Sequence, residues 1–146
     1  MEITTSVQIV LPQHCNGYAK PRLFGWQLMA WIDIVGAVAA RRYAQNAVTT
    51  VCVDHLTFLN PAFLNDTVVQ EAVVTWTGRT SLEVRVDSYV EQLNGDRKPI
   101  NRAYLVYVAL DGRDAPVEVP PFTPETDAEK REFAAALERR RIRLGR

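Results

Sequence analysis

Cysteine and histidine are scarce in this chain, two of each among 146 residues. Cys15 and Cys52 stand too far apart for a disulfide framework, and no Cys/His cluster has metal-ligand spacing. Neither a stapled secreted fold nor a bound metal is expected. No sign of charge dominates either, since 17 Lys and Arg balance 17 Asp and Glu. General nucleic-acid binding needs a basic field to neutralise phosphates, and that field is missing. The opening residues lack the basic start and apolar run of a secretory signal, and free thiols suit a reducing cytoplasm. Only one long apolar run exists, Leu23 to Ala40, and Gln27, Asp33 and two glycines interrupt it. It is barely long enough to cross a bilayer and stands alone, so no membrane span is expected. With no internal repeat or low-complexity linker, the chain reads as one domain large enough to bury a core.

What is present is a regular succession of elements. Ile3 to Leu11 has strand composition and leads into a turn-rich loop, Pro12 to Pro21. A helix is predicted from about Phe24 to Ala44, with Arg41 and Arg42 complementing the dipole at its C-terminus. Because it is apolar nearly all round, it should be buried on most sides, which requires other elements to wrap it. Val48–Leu59 and Thr67–Trp76 read as strands, and Thr77-Gly78-Arg79 turns into a third. In that third strand Leu82, Val84, Val86 and Val90 point one way, while Glu83, Arg85, Asp87 and Glu91 point the other. Asn94-Gly95-Asp96 signals a hairpin, and a fourth strand runs from Ile100 to Leu110. One polar face per strand predicts an antiparallel sheet with one side in water and one on the helix. Beyond a proline-rich stretch, Thr126 and Glu129 carry the capping signature of a last helix, which ends among Arg139, Arg140, Arg141, Arg143 and Arg146.

Asp33 is the only charge between Gly25 and Arg41. A carboxylate desolvated without a partner costs several kcal/mol, so it either pairs with an arginine across an interface or takes part in chemistry. Residues around it and beyond form a longer pattern: Asn16; Leu23-Phe24-Gly25; Gln27-Leu28-Met29 and Trp31-Ile32-Asp33; Val48-Thr49-Thr50 with Asp54 and Phe58. The pattern continues through Asn65-Asp66-Thr67, Thr77-Gly78-Arg79-Thr80-Ser81 with Glu83-Val84, Asn101-Arg102-Ala103-Tyr104 and Val108-Ala109-Leu110-Asp111. In this order, across most of the chain, the pattern resembles the hotdog-fold acyl-CoA thioesterases of the acyl-CoA hydrolase type.

The resemblance implies an α+β hotdog fold, a five-stranded antiparallel sheet wrapped around a long central helix. Residues 1–122 would form that domain and 123–146 a C-terminal helical extension with a basic end. It also implies acyl-CoA as substrate, with no cofactor beyond the coenzyme A that the substrate carries, and paired subunits often assembled into hexamers. Two departures stand out. The family usually has two glycines after the phenylalanine, where this chain has Gly25-Trp26, and its asparagine loop is about two residues shorter.

Thioester hydrolysis needs a base or nucleophile and donors for the developing oxyanion. Asp33 is assigned as general base for water or as direct nucleophile, the Gly25 N–H as oxyanion donor, and Asn16 as orienter of water or carbonyl. Eight residues of helix set Gly25 roughly 12 Å from Asp33 at about 1.5 Å per residue, too far for one carbonyl carbon to touch both. An antiparallel two-fold pair of helices would bring Gly25 and Asn16 of one subunit to Asp33 of the other. Phe24 and Trp26 flank Gly25 and are expected to contact substrate, Trp26 narrowing the acyl tunnel. For the coenzyme, the resemblance points to Arg79, Thr80 and Ser81, with Arg102 and the C-terminal arginines as further candidates.

Blander readings stand beside these. Arg79-Thr80-Ser81 is also an ordinary hairpin turn, Asn16-Gly17 an ordinary turn dipeptide, and the terminal arginines an ordinary solvated helix end. His14 and His55 read as structural, Cys15 lacks a histidine partner, and Trp31 and Met29 read as core or tunnel lining. Two other activities remain open: a hotdog hydratase or dehydratase, which uses a histidine with a carboxylate, and an acyl-CoA binding module without turnover.

Overall fold

The computed structural model describes residues 2–17 and 19–146, so Tyr18 of the predicted loop lies outside the described residues. The chain runs β1 (Thr4–Ile9), a single 3₁₀ turn (Pro12–His14), β2 (Cys15–Asn16), β3 (Arg22–Leu23), α1 (Gly25–Ala44), β4 (Ala47–Phe58), β5 (Thr67–Thr77), β6 (Ser81–Glu91), β7 (Arg97–Leu110) and α2 (Asp127–Arg143). Five strands form one antiparallel sheet in the order β1-β5-β6-β7-β4, and β2 pairs with β3 in a small hairpin before the helix. This is the predicted hotdog arrangement, with α1 laid along one face of the sheet.

Each prediction from composition meets its element within a few residues. The largest difference is at β7, which starts at Arg97 rather than Ile100. Gly95 takes a left-handed φ of 93° in the Asn94-Gly95-Asp96 turn. The Gln92 N–H donates to the Asp96 carbonyl at 2.7 Å, so the chain re-enters the ladder at once. Pro99 is tolerated there because it pairs at a register shift between Ser88 and Tyr89, where a missing donor breaks no regular bond.

The core lies between α1 and the sheet. Leu28, Trp31, Ile32, Val35, Ala39, Ala40 and Ala44 pack against Leu82, Val84, Val86 and Val90 of β6 and Ala103, Leu105, Tyr107 and Ala109 of β7. The opposite side of α1 stays open in the single chain: Trp26 is 75% and Ile34 63% exposed, beside Val51 and Val53 of the edge strand β4. That edge is bent by register shifts near Val51 and His55, the latter with φ 50°.

The outer face of the sheet corrects one expectation. It is not simply solvated, because α2 folds back across it. Glu83, 1% exposed, accepts two hydrogen bonds from Arg139, at 2.8 and 3.0 Å, and one from the Thr75 hydroxyl at 2.6 Å. The Arg139 guanidinium also lies 3.7 Å from the centre of the Tyr104 ring, and the Tyr104 hydroxyl donates to Glu132. Arg143 donates to Asp54 at 2.8 Å. The polar half of each strand's alternation is therefore polar to meet a charged helix, and period-two patterning marks polarity rather than exposure. Thr126 and Glu129 make the expected reciprocal cap at the start of α2. No helix among the described residues is long and apolar enough to cross a membrane.

Removing one partner of a buried ion pair strands the other's charge. Glu83→Ala should lower unfolding stability by about 3–5 kcal/mol in urea titrations; a loss below about 1 kcal/mol would mean that α2 is not clasped through this pair.

Candidate active site

Helix α1 begins without a cap. Its N-cap residue is Phe24, which has no side-chain acceptor, whereas most helices place Ser, Thr, Asp or Asn there to satisfy the first free N–H groups. Among the described residues, none accepts a hydrogen bond from the Gly25 or Trp26 N–H. Gly25, at the positive end of the helix, borders a cleft of about 900 Å³ whose lining also includes Asn16, Leu23, Phe24, Phe58 and Ile100. The β2–β3 ladder sets Asn16 opposite Arg22, and the Phe24 N–H donates to the His14 carbonyl, so hairpin and helix start are tied together. A side chain at Gly25 would come within 3.2 Å of the Phe58 ring. The predicted grouping of Asn16, Phe24 and Gly25 is thus present.

Two helical turns further on, Asp33 is half-buried and receives two hydroxyls. Thr50 of β4 donates to its Oδ1 at 2.8 Å, and the Tyr107 hydroxyl of β7 lies 3.0 Å from the same oxygen and 3.0 Å from the Asp33 carbonyl. Thr50 and Tyr107 face each other across the β4–β7 ladder, which is why both reach one carboxylate. Burial first, then the Asp33 charge and the hydrogen bond to it, push the Tyr107 phenol well above its usual range. Gly36, one turn after Asp33, makes room: a Cβ there would land on the Tyr107 hydroxyl. No Lys, Arg or His among the described residues ion-pairs with Asp33. Beside it runs a second, apolar cavity of about 260 Å³ whose lining includes Trp26, Met29, Val53, Leu56 and Leu105.

The two cavities share no residue, so the single chain holds Asn16 and Gly25 apart from Asp33. The other predicted residues lie elsewhere. Arg79, Thr80 and Ser81 form the β5–β6 turn, closed by the Gly78 N–H to Ser81 carbonyl bond and flanked by Val119. Ser81 pairs opposite Val108, whereas Phe58 at the cleft pairs opposite Asn101, so turn and cleft occupy opposite ends of the sheet. Arg102 stands on the outer face and donates to Asp87 at 2.6 Å. His14 accepts the Leu11 N–H on Nδ1 and sets its ring against Trp31, 4.9 Å between centroids. No three His, Cys, Asp or Glu among the described residues gather as a metal would require.

Sequence reasoning gave no role to Thr50 or Tyr107. The available signal was Tyr107 falling in phase with Ala103, Leu105 and Ala109, a lone hydroxyl on an apolar face.

Residues 22–94 match the family model described as the thioesterase superfamily. The chain is 37% identical over 94% of its length to YkhA, an uncharacterised acyl-CoA thioester hydrolase of Bacillus subtilis, and covers 79% of that protein. It is 34% identical over 97% of its length to the mouse acetyl-coenzyme A thioesterase but spans only 26% of that longer protein. Among solved structures, an apo-hexameric acyl-CoA thioesterase superposes with a TM-score of 0.90 at 34% identity, covering 98% of this chain and 91% of that one. The Staphylococcus aureus acyl-CoA hydrolase, solved with butyryl-CoA and CoA, superposes with a TM-score of 0.89 at 32% identity, covering 98% and 87%. That enzyme was also solved with an asparagine, a threonine or an aspartate changed to alanine. Its aspartate and threonine stand 17 positions apart, the separation of Asp33 and Thr50 here.

Tyr107 has a measurable signature. A phenol whose pKa is raised on folding adds stability in full below the unfolded value, near 10, and loses it as pH climbs above that. Unfolding free energies from pH 8 to 11 should fall more steeply for the wild type than for Tyr107→Phe, by at most about 1.36 kcal/mol per pH unit in urea titrations. Parallel curves would show that this phenol titrates alike folded and unfolded.

Proposed function

The chain belongs to the thioesterase superfamily, and from that premise we propose that it hydrolyses acyl-CoA to a free acid and coenzyme A at a site shared between two copies of the chain. The observation that carries this reading is the separation within α1 of two half-sites. One half is the Asp33 carboxylate beside the apolar cavity that Trp26 also lines; the other is the unbonded Gly25 N–H beside Asn16. A second copy laid antiparallel on the open face of α1 would cover Trp26, Ile34, Val51 and Val53 and join the halves into two equivalent sites. Hexamers, as in the apo-hexameric neighbour, would be built from such pairs.

In this reading a water lies between Asp33 and the thioester carbonyl. Asp33 takes the water's proton as its oxygen attacks the carbonyl carbon, and the partner's helix start receives the oxyanion. As the C–S bond breaks, the thiolate leaves with the proton that Asp33 returns. Direct attack by Asp33, through an anhydride that water then opens, uses the same groups. A positioned base contributes about 10²–10⁴-fold and an oxyanion donor about 2.7–4 kcal/mol. Asn16 orients the water or the carbonyl, and Phe24 and Trp26 meet the acyl end of the substrate. Arg79, Thr80 and Ser81 offer a guanidinium and hydroxyls to the coenzyme, whereas Arg102 would have to leave Asp87. Hydrolysis by this route calls for no metal or redox cofactor, and both it and the free thiols Cys15 and Cys52 suit the cytoplasm. A hydratase mechanism would need a histidine beside the carboxylate, and His14 is already committed to Leu11 and Trp31.

Thiol release from acyl-CoA tests the reading. Asp33→Asn should lower kcat by at least about 10²-fold while acyl-CoA still binds; unchanged turnover would remove Asp33 from the chemistry. Binding without thiol release by the wild type would instead favour a binding module. Trp26→Gly should shift the preference toward longer acyl chains by opening the cavity that Trp26 borders, and an unaltered chain-length profile would deny Trp26 that part.

A further inference from the structure

We propose that Tyr107 is a positioning residue for the hydrolase reaction: its hydroxyl, together with that of Thr50, occupies Oδ1 of Asp33 and leaves Oδ2 as the working oxygen. This rests on the hydrolase reading above and adds to it an assignment of the two carboxylate oxygens. Both hydroxyls reach Oδ1, at 2.8 and 3.0 Å, and no donor among the described residues reaches Oδ2. A charged carboxylate is a stronger acceptor than a carbonyl, so the Tyr107 proton is drawn to Oδ1 rather than to the Asp33 carbonyl at the same distance. The phenol is fully buried and its ionisation is suppressed by that burial and by the adjacent charge. It therefore donates without surrendering its proton, and no step passes through it.

The arrangement is built by three elements. β7 brings Tyr107 up from the sheet, β4 brings Thr50 to the same level, and Gly36 of α1 leaves the gap through which the phenol reaches back one helical turn. No other charged group among the described residues pairs with the carboxylate. Cys52 and Asp54 of β4 lie in register with Val106 and Tyr104 on the other face, where Arg143 holds Asp54. Arg102 of β7 is on that outer face too, and the nearest charge along α1 is Arg41. Two hydroxyl bonds to one oxygen fix the plane of the Asp33 carboxylate. The oxygen without a protein donor is then free to take the proton of water or to attack.

Steady-state kinetics of Tyr107→Phe test this. The ring is kept, so the core stays filled. The expected result is kcat lowered about tenfold with KM within about twofold, the worth of one lost hydrogen bond to a charged group. Gly36→Ala, which drives the hydroxyl off the carboxylate from the other side, should lower kcat with KM kept in the same way. The ¹³C chemical shift of the Asp33 carboxyl, compared at one pH between wild type and Tyr107→Phe, reads the same contact without turnover. It therefore separates failure of this assignment from failure of the hydrolase reading. Unchanged kcat and an unmoved Asp33 carboxyl resonance would overturn the assignment.

Discussion

A carboxylate set in the middle of an apolar helix is costly unless polar partners come with it, and much of this fold is arranged to bring them. Asp33 receives its two hydroxyls from β4 and β7, strands adjacent in space but about fifty residues apart in sequence. They meet it only because α1 lies flat on the sheet, where the contact face beyond Asp33 is mostly small: Gly36, Ala39, Ala40 and Ala44 follow Val35. The same closeness requires the long helix to run unbroken past the sheet's centre. Its start therefore stands two turns away from the carboxylate, among different neighbours.

The two helices begin in opposite ways. α2 opens with a complete reciprocal cap from Thr126 and Glu129. α1 opens on Phe24, with its first N–H groups unbonded at the mouth of a cleft. Open donors at the positive end of a dipole suit an anion, and in thioester hydrolysis the anion that matters is transient. Meanwhile the uncovered side of α1 exposes Trp26 and Ile34, too apolar a surface to leave in water on both counts. In the proposed reading a second copy covers that side and joins the Asn16–Gly25 cleft to the Asp33 cavity, which one chain holds apart.

Much of this was legible in residues alone. Apolar runs, the Asn94-Gly95-Asp96 turn and the Thr126 cap placed the elements because local chemistry dictates them. Asp33 was conspicuous because a charge in an apolar helix violates the local rule. What was not legible depends on contacts between elements distant in sequence. Thr50 and Tyr107 look like ordinary strand residues until the β4–β7 register is known. Glu83 and Asp87 read as solvent-facing because alternation cannot say what will cover a polar face, and the covering helix lies some fifty residues later in the chain. Arg139 and Arg143, which looked like a solvated end, are held by Glu83 and Asp54 for the same reason.

The claim at the centre is that the carboxylate of one copy works with the amide end of another's helix, and subunit mixing reaches it most directly. Gly25→Pro removes the proposed oxyanion donor at the first helical position, where the extended Phe24 at φ −82° and ψ 151° suits proline and the Phe58 ring, 3.2 Å from the new Cβ, has to give slightly. Asp33→Asn removes the carboxylate. Each variant alone should be nearly inactive, but unfolding and refolding them together should restore thiol release at about a quarter of the sites, since half of random pairs are mixed and each mixed pair keeps one intact site. Activity of the mixture no greater than the sum of the two parents would contradict a shared site.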